Sequence, residues 1–135
     1  MNYIKIYSDI KFPDRTILEI TFLNKADFYD ISFQNRNYTI VGGDKDISTN
    51  IIVIAENNEV YYITTDDKKI SYISENIRIF IKQLLLYDDN INNLSENPKK
   101  IQEFRLKILE LDANAFKSDN TFWSEIFEEI EYGII

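Results

Sequence analysis

Ile51-Ile52-Val53-Ile54-Ala55-Glu56-Asn57-Asn58-Glu59-Val60-Tyr61-Tyr62-Ile63 reads as two strands joined by a turn, and it decides the fold class. Both runs are rich in β-branched and aromatic residues, which suit the pleated surface of a sheet. The unbroken apolar run Ile51 to Ile54 predicts a strand covered on both faces and therefore a central one. Asn57-Asn58 tolerates the positive φ angles of a tight two-residue turn. Downstream, Asp66-Asp67-Lys68 marks a second reversal into Ile70-Ser71-Tyr72-Ile73, whose alternation suggests a partly covered strand. The result is a meander of three antiparallel strands. Upstream, Ile4 to Tyr7, Ile17 to Phe22, Phe28 to Phe33 and Tyr38 to Val41 have the same short, β-rich character and predict further strands.

After the meander the period lengthens. Ser74 can cap a helix in which Ile77, Phe80, Ile81, Leu84 and Leu85 form one apolar stripe running through Tyr87. Asn97 caps a second helix with Pro98 at its first position, where a missing N–H costs nothing, and Ile101, Phe104, Ile108 and Leu111 line its inner side. A third helix begins near Asp119 or Asn120, turns Phe122, Trp123, Ile126, Phe127 and Ile130 inward, and stops at Gly133. Trp123 is therefore expected in the core, the alternative being an exposed aromatic that anchors a partner. The expected class is α+β: a twisted, mainly antiparallel sheet with flanking helices.

The 135 residues suit one domain spanning 1–135, since a composition 44% hydrophobic and 14% aromatic leaves too much apolar surface for disorder. Three Gly and two Pro provide no flexible linker and no internal boundary. With no Cys there is no disulfide framework and no thiolate site, which points to a reducing cytoplasm. The amino terminus, Met1-Asn2-Tyr3-Ile4-Lys5-Ile6-Tyr7, lacks the apolar core of a signal peptide. The longest apolar run, Ile51 to Ala55, is far short of the roughly 20 residues a spanning helix needs, so no membrane role is expected.

A net charge of -8 repels the phosphate backbone and argues against direct nucleic-acid binding. It matches a basic macromolecule, because complementary charge speeds encounter and rejects wrong partners; it also serves solubility. The charge is unevenly placed. Glu125, Glu128, Glu129 and Glu131 crowd the second half of the last helix, where the helix dipole disfavours negative charge, at roughly 0.3 to 1 kcal/mol each. A local choice that opposes stability marks a candidate functional surface, and these glutamates with Asp66 and Asp67 are expected to face a basic partner. A solvated face paired with Lys or Arg from elsewhere is the alternative.

Catalytic chemistry has little to draw on. Without His or Cys the chain lacks the usual general base, the Ser-His and Cys-His pairs and the commonest metal ligand. Asp44-Lys45-Asp46, Asp66-Asp67 and Asp88-Asp89 are carboxylate pairs of the kind found in turns, where Asp bonds its own backbone. Gly42-Gly43 lacks the rest of a phosphate loop and reads as a bend. No catalytic residue, no metal and no cofactor is expected. A carboxylate-dependent hydrolase would require two acids converging in a deep cleft.

The order of these pieces resembles the SUKH superfamily, most closely its fourth subfamily of immunity proteins, found beside bacterial polymorphic toxins. The resemblance rests on Phe12-Pro13, on Tyr38-Thr39-Ile40-Val41-Gly42-Gly43-Asp44, on the hairpin Ile51 to Ile63 and on Ser74-Glu75-Asn76-Ile77-Arg78-Ile79-Phe80. Its most specific block is the ending Asp119-Asn120-Thr121-Phe122-Trp123-Ser124-Glu125-Ile126-Phe127-Glu128-Glu129-Ile130-Glu131-Tyr132-Gly133. Asn57-Asn58 and Lys45-Asp46-Ile47 stand where the family often has glycines. The resemblance implies a twisted sheet with flanking helices, no cofactor, no enzymatic activity, and the neutralisation of a cognate toxin domain by binding it; the acidic charge of the chain suits a basic toxin such as a nuclease or nucleic-acid deaminase. Eukaryotic members imply the alternative of an interaction module in regulation or cell-wall signalling. The segment Ile4 to Tyr7, as an edge strand, offers a route to a homodimer or to strand addition by the toxin.

Overall fold

The structure, a computed structural model, describes residues 2–44, 49–94 and 97–133; the Lys45-Asp46-Ile47 segment lies outside the described residues. It is α+β, an antiparallel open sheet of six strands followed by three helices. The strands are β1 (Thr21–Phe22), β2 (Tyr29–Phe33), β3 (Arg36–Gly43), β4 (Asn50–Ala55), β5 (Val60–Thr64) and β6 (Lys69–Ser74). A short helix, α1 (Tyr3–Ile6), precedes them, and α2 (Ile77–Leu94), α3 (Pro98–Leu111) and α4 (Phe122–Glu131) follow. The strand order is β1-β3-β4-β5-β6, with β2 also paired to β3.

β4 lies at the centre, and Ile51, Ile52, Val53 and Ile54 are all buried, as the unbroken apolar run requires. Successive side chains point to opposite faces, so this strand feeds two cores. Ile52 and Ile54 join Val41, Val60 and Ile73 under the helices, with Phe80, Leu84, Phe104, Ile108, Trp123 and Phe127. Ile51 and Val53 join Tyr38, Ile40 and Ile63 in a second cluster that contains no helix residue. Ile31, Phe33, Tyr61 and Ile70 pack around that cluster. β6 is more covered than its alternation suggests. Ser71, Tyr72 and Ile73 are all buried; the Tyr72 hydroxyl is tied to Asp112 and the Lys117 ammonium sits over its ring at 3.9 Å, while Ile73 packs under the helices.

The turn between β4 and β5 is longer than two residues. Asn58 N–H donates to Ala55 O at 2.9 Å and only Asn58 has positive φ, giving a three-residue loop with one left-handed residue. The segment expected as a strand at Ile4 to Tyr7 is helical at Tyr3–Ile6 instead, which removes it as a pairing edge. Asn2 caps it by accepting from Lys5 N–H, and Tyr3 stacks on Tyr7 one turn away, both against Phe28. The alternating Ile4 and Ile6 point to solvent. Pairing in the expected strand Ile17 to Phe22 is confined to Thr21–Phe22 and a bridge between Ile17 and Ile20, which closes a turn over Leu18 and Glu19. Gly42 is no bend. It lies inside β3, where a Cβ would sit 2.6 Å from Thr21 O, so its missing side chain lets β1 approach.

Helix α2 starts later than expected. Asn76, not Ser74, caps it by accepting from Ile79 N–H at 3.0 Å, while Ser74 ends β6. Leu85 lies on the exposed side, and Asp88-Asp89 sits inside the helix rather than in a turn. The cap of α3 is Asn97 with Pro98 following, as its sequence predicts. Leu111 and Ile126 are only half-buried. Thr121 caps α4, so that helix begins at Phe122, two or three residues after the expected start. Among the described residues no helix is long and apolar enough to cross a membrane.

Candidate binding cleft

Helix α4 divides its residues between two faces. Trp123, Phe127 and Ile130 enter the core, whereas Phe122, Glu125, Ile126 and Glu129, at helical spacing, form one wall of a cleft of about 570 Å³. The opposite walls come from the turn Leu18-Glu19-Ile20, Asp44 after β3, Tyr62 of β5, Ser71 of β6 and Tyr87 of α2. The size falls within the range of ligand sites. Tyr62 and Phe122 pack with ring centroids 5.9 Å apart, giving the cleft an aromatic side. Thr121 fixes the pitch of α4: it accepts from Ser124 N–H and donates to Ala115 O at 2.6 Å.

Leu18 and Glu19 both have positive φ, 51° and 63°, in a turn closed by two Ile17–Ile20 backbone hydrogen bonds of 3.0 and 2.8 Å. This is the geometry of a tight two-residue turn, here built without Gly or Asn. Left-handed backbone in two ordinary residues is disfavoured, and such strain clusters at functional positions.

Four carboxylates line the cleft: Glu19, Asp44, Glu125 and Glu129. Their field is felt by the neighbouring phenols. Burial, then Asp44, Glu19, Glu125 and Glu129, push Tyr62 up to about 12. Tyr87 is also pushed up to about 12, by burial and then by Glu129 and Asp88. Glu129 itself is raised above the ordinary carboxylate value, first by partial desolvation and then by Glu125, Glu19 and Glu128. Among the described residues no three Asp or Glu are grouped to hold a metal ion, so the charge is spread over the walls. Ser71 and Tyr87, only 5% and 6% exposed, also line the cleft.

The candidate residues separate. Glu125 and Glu129 line the cleft; Glu128 and Glu131 are exposed outside its lining, and Asp66 and Asp67 sit in the β5–β6 turn, also outside it. Because α4 starts at Phe122, Glu125 is in its first turn, where the dipole favours it, and only the other three glutamates occupy the unfavourable half. Glu125 accepts from Lys69 Nζ at 2.7 Å, which joins α4 to the start of β6 beside the Asp66-Asp67 turn. Both partners are about half exposed, so this ion pair contributes little to stability. Glu19, Tyr62 and Tyr87 were not legible as site residues. The spacing of 122, 125, 126 and 129 carried the signal separating Glu125 and Glu129 from their neighbours.

No family model, no curated protein and no solved structure matches this chain. The functional reading therefore rests on the cleft and on the sequence motifs.

Proposed function

We propose that this protein is an immunity protein of the SUKH type, with the SUKH fold, that binds a basic bacterial toxin domain and covers its active face. The toxin class is a nuclease or nucleic-acid deaminase, whose substrate is excluded by occlusion, and no reaction takes place in the inhibitor. The observation that carries the reading is the preformed cleft, where Glu19, Asp44, Glu125 and Glu129 stand around an aromatic side formed by Tyr62 and Phe122. Added to a net charge of -8, it favours a cationic partner through steering and complementarity. Such a complex buries on the order of 1,200 to 2,000 Å² in total.

Co-expression with the toxin-like product encoded beside this gene tests the reading. Growth rescue together with co-purification is the expected result, and failure of both overturns it. Co-purification with a cellular protein, without rescue, would favour a regulatory interaction module.

One observation favours a second reading, a carboxylate-dependent hydrolase: several carboxylates line one cleft, and Glu129 is raised, as in acid and base pairs. Turnover of chromogenic glycosides by the pure protein, abolished in Glu129→Gln, would replace the binding reading.

A further inference from the structure

We infer that β2 is a pairing edge for a second copy of this chain, the two β2 strands joining antiparallel about a two-fold axis at Ile31 so that one sheet continues across both protomers. This goes beyond the binding reading above and uses a different face of the molecule, since no β2 residue lines the acidic cleft.

The two margins of the sheet differ. In β6, Ser71, Tyr72, Ile73 and Ser74 are buried, with Asp112 and Lys117 fastened on Tyr72, so that margin is covered. β2 pairs with β3 alone, over five residues in unbroken register, and its Tyr29, Asp30 and Ser32 are exposed. It carries none of the usual protections of an open edge: no Pro, no Lys and no bulge. The hairpin turn fixes which groups face outward. Gln34 and Asn35, both with positive φ, make a two-residue turn closed by Phe33 and Arg36. Hydrogen-bonded pairs alternate from there, so Phe33, Ile31 and Tyr29 bond β3, whereas Asp30 and Ser32 turn their backbone N–H and C=O away from it.

The order of residues along this edge is its own complement. With Ile31 on the axis, Asp30 meets Ser32 of the second copy as a hydrogen-bonded pair, and a carboxylate faces a hydroxyl on each side of the axis. Centring the pair on Asp30 would set two carboxylates opposite each other; centring it on Ser32 would leave Tyr29 beyond the end of the facing strand. On the other face of the sheet, Tyr29 meets Phe33 of the second copy and Ile31 meets its counterpart. Tyr29 is 48% exposed, while Ile31 and Phe33 pack round the helix-free cluster of Tyr38, Ile40 and Val53. The pairing therefore covers an open aromatic and extends that cluster into the second protomer.

Sedimentation of the full chain, combined with amide hydrogen exchange, tests this. Between about 1 µM and 1 mM the mass should rise from that of one chain towards that of two. The Asp30 and Ser32 amides should gain protection over the same range, whereas those of Ile31 and Phe33 are protected throughout. Each chain carries a net charge of -8, so salt should strengthen this contact, opposite to its effect on a complex with a cationic partner. Ser32 is exposed, so its variants keep the fold. Ser32→Asp sets like charges opposite each other and should weaken the dimer about tenfold, and Ser32→Lys should strengthen it about tenfold. The same charges placed at the exposed Gln102 of α3 control for net charge and should have little effect. A single-chain mass at about 1 mM, a dimer whose Asp30 and Ser32 amides stay unprotected, or equal responses at Ser32 and Gln102 overturns the inference. Protection of those amides only on adding the toxin product would assign the edge to that partner and overturns self-pairing as well.

Discussion

The indole N–H of Trp123 donates to Gln83 Oε1 at 2.9 Å, and both residues are wholly buried. The bond joins α4 to α2 beneath the cleft-bearing face of α4. An indole N–H only donates, so the amide must present its oxygen, and Gln83 Nε2 is left buried without a partner. The pair is therefore a polar tie that is only half satisfied, set in an aromatic core with Phe122 and Phe127.

Truncating Trp123 to Ala should cost about 3 to 5 kcal/mol, and loss of partner binding in that variant would report unfolding. Gln83→Leu should cost less than Trp123→Phe, because it also removes the orphaned amide N–H₂. In urea unfolding, Trp123→Phe should be about 1 kcal/mol milder in the Gln83→Leu background than in the wild type. Strict additivity would show that the hydrogen bond contributes nothing.

Asp112 fastens the end of α3 to the junction between β6 and α2. Its Oδ2 accepts from the Tyr72 hydroxyl at 2.7 Å and from Glu75 N–H at 2.8 Å, and its Oδ1 accepts from Asn114 N–H at 2.9 Å. Asp112→Ala orphans these donors and should cost about 3 kcal/mol, while Asp112→Asn, which keeps one acceptor, should cost less. Equal midpoints for the two variants in chemical denaturation would contradict this account.

Two residues of the cleft wall should trade stability against binding. Glu19→Gly relieves a left-handed φ of 63° and should stabilise by about 0.5 kcal/mol. Glu129 has a raised carboxyl, so at neutral pH its ionised form opposes folding, and Glu129→Gln should also stabilise by about 0.5 kcal/mol. Its unfavourable effect fades as the pH falls through the raised value, so the gain from Glu129→Gln should shrink in acid. Slower association with the partner is expected from both variants; faster association would remove the cleft from the interface.

Alkaline pH should unfold the protein through its tyrosines. Burial and carboxylate neighbours push Tyr61, Tyr62 and Tyr87 up to about 12, and Tyr72, beside Asp112, is raised as well. The native state holds these protons more tightly than the unfolded chain. Stability is therefore undiminished below the ordinary value of 10.0 and falls as the pH rises from there towards about 12. Thermal melts between pH 9 and 12 check this; a flat profile would contradict it.

The residues alone made the central strand, the meander, the Asn97-Pro98 cap and the buried Trp123 legible. Each depends on a local pattern: an unbroken apolar run, β-rich segments between turn residues, a capping pair, or helical spacing. The alternation of Ile4 and Ile6 suggests a strand where the chain is helical, because the contacts that matter are Tyr3 on Tyr7 and both on Phe28, and the last requires the tertiary fold. In the last helix, chain-local charge could not separate Glu125 and Glu129 from Glu128 and Glu131.

By itself the sequence determined an acidic α+β chain without His or Cys, because composition and periodicity are properties of the residues in order. Only the tertiary structure decided that Glu19, Tyr62, Ser71, Tyr87 and Glu129 meet around one cleft. Their separation along the chain is bridged by a turn with positive φ in ordinary residues and by the packing of α4 beside β6, and neither leaves a local signal in the sequence.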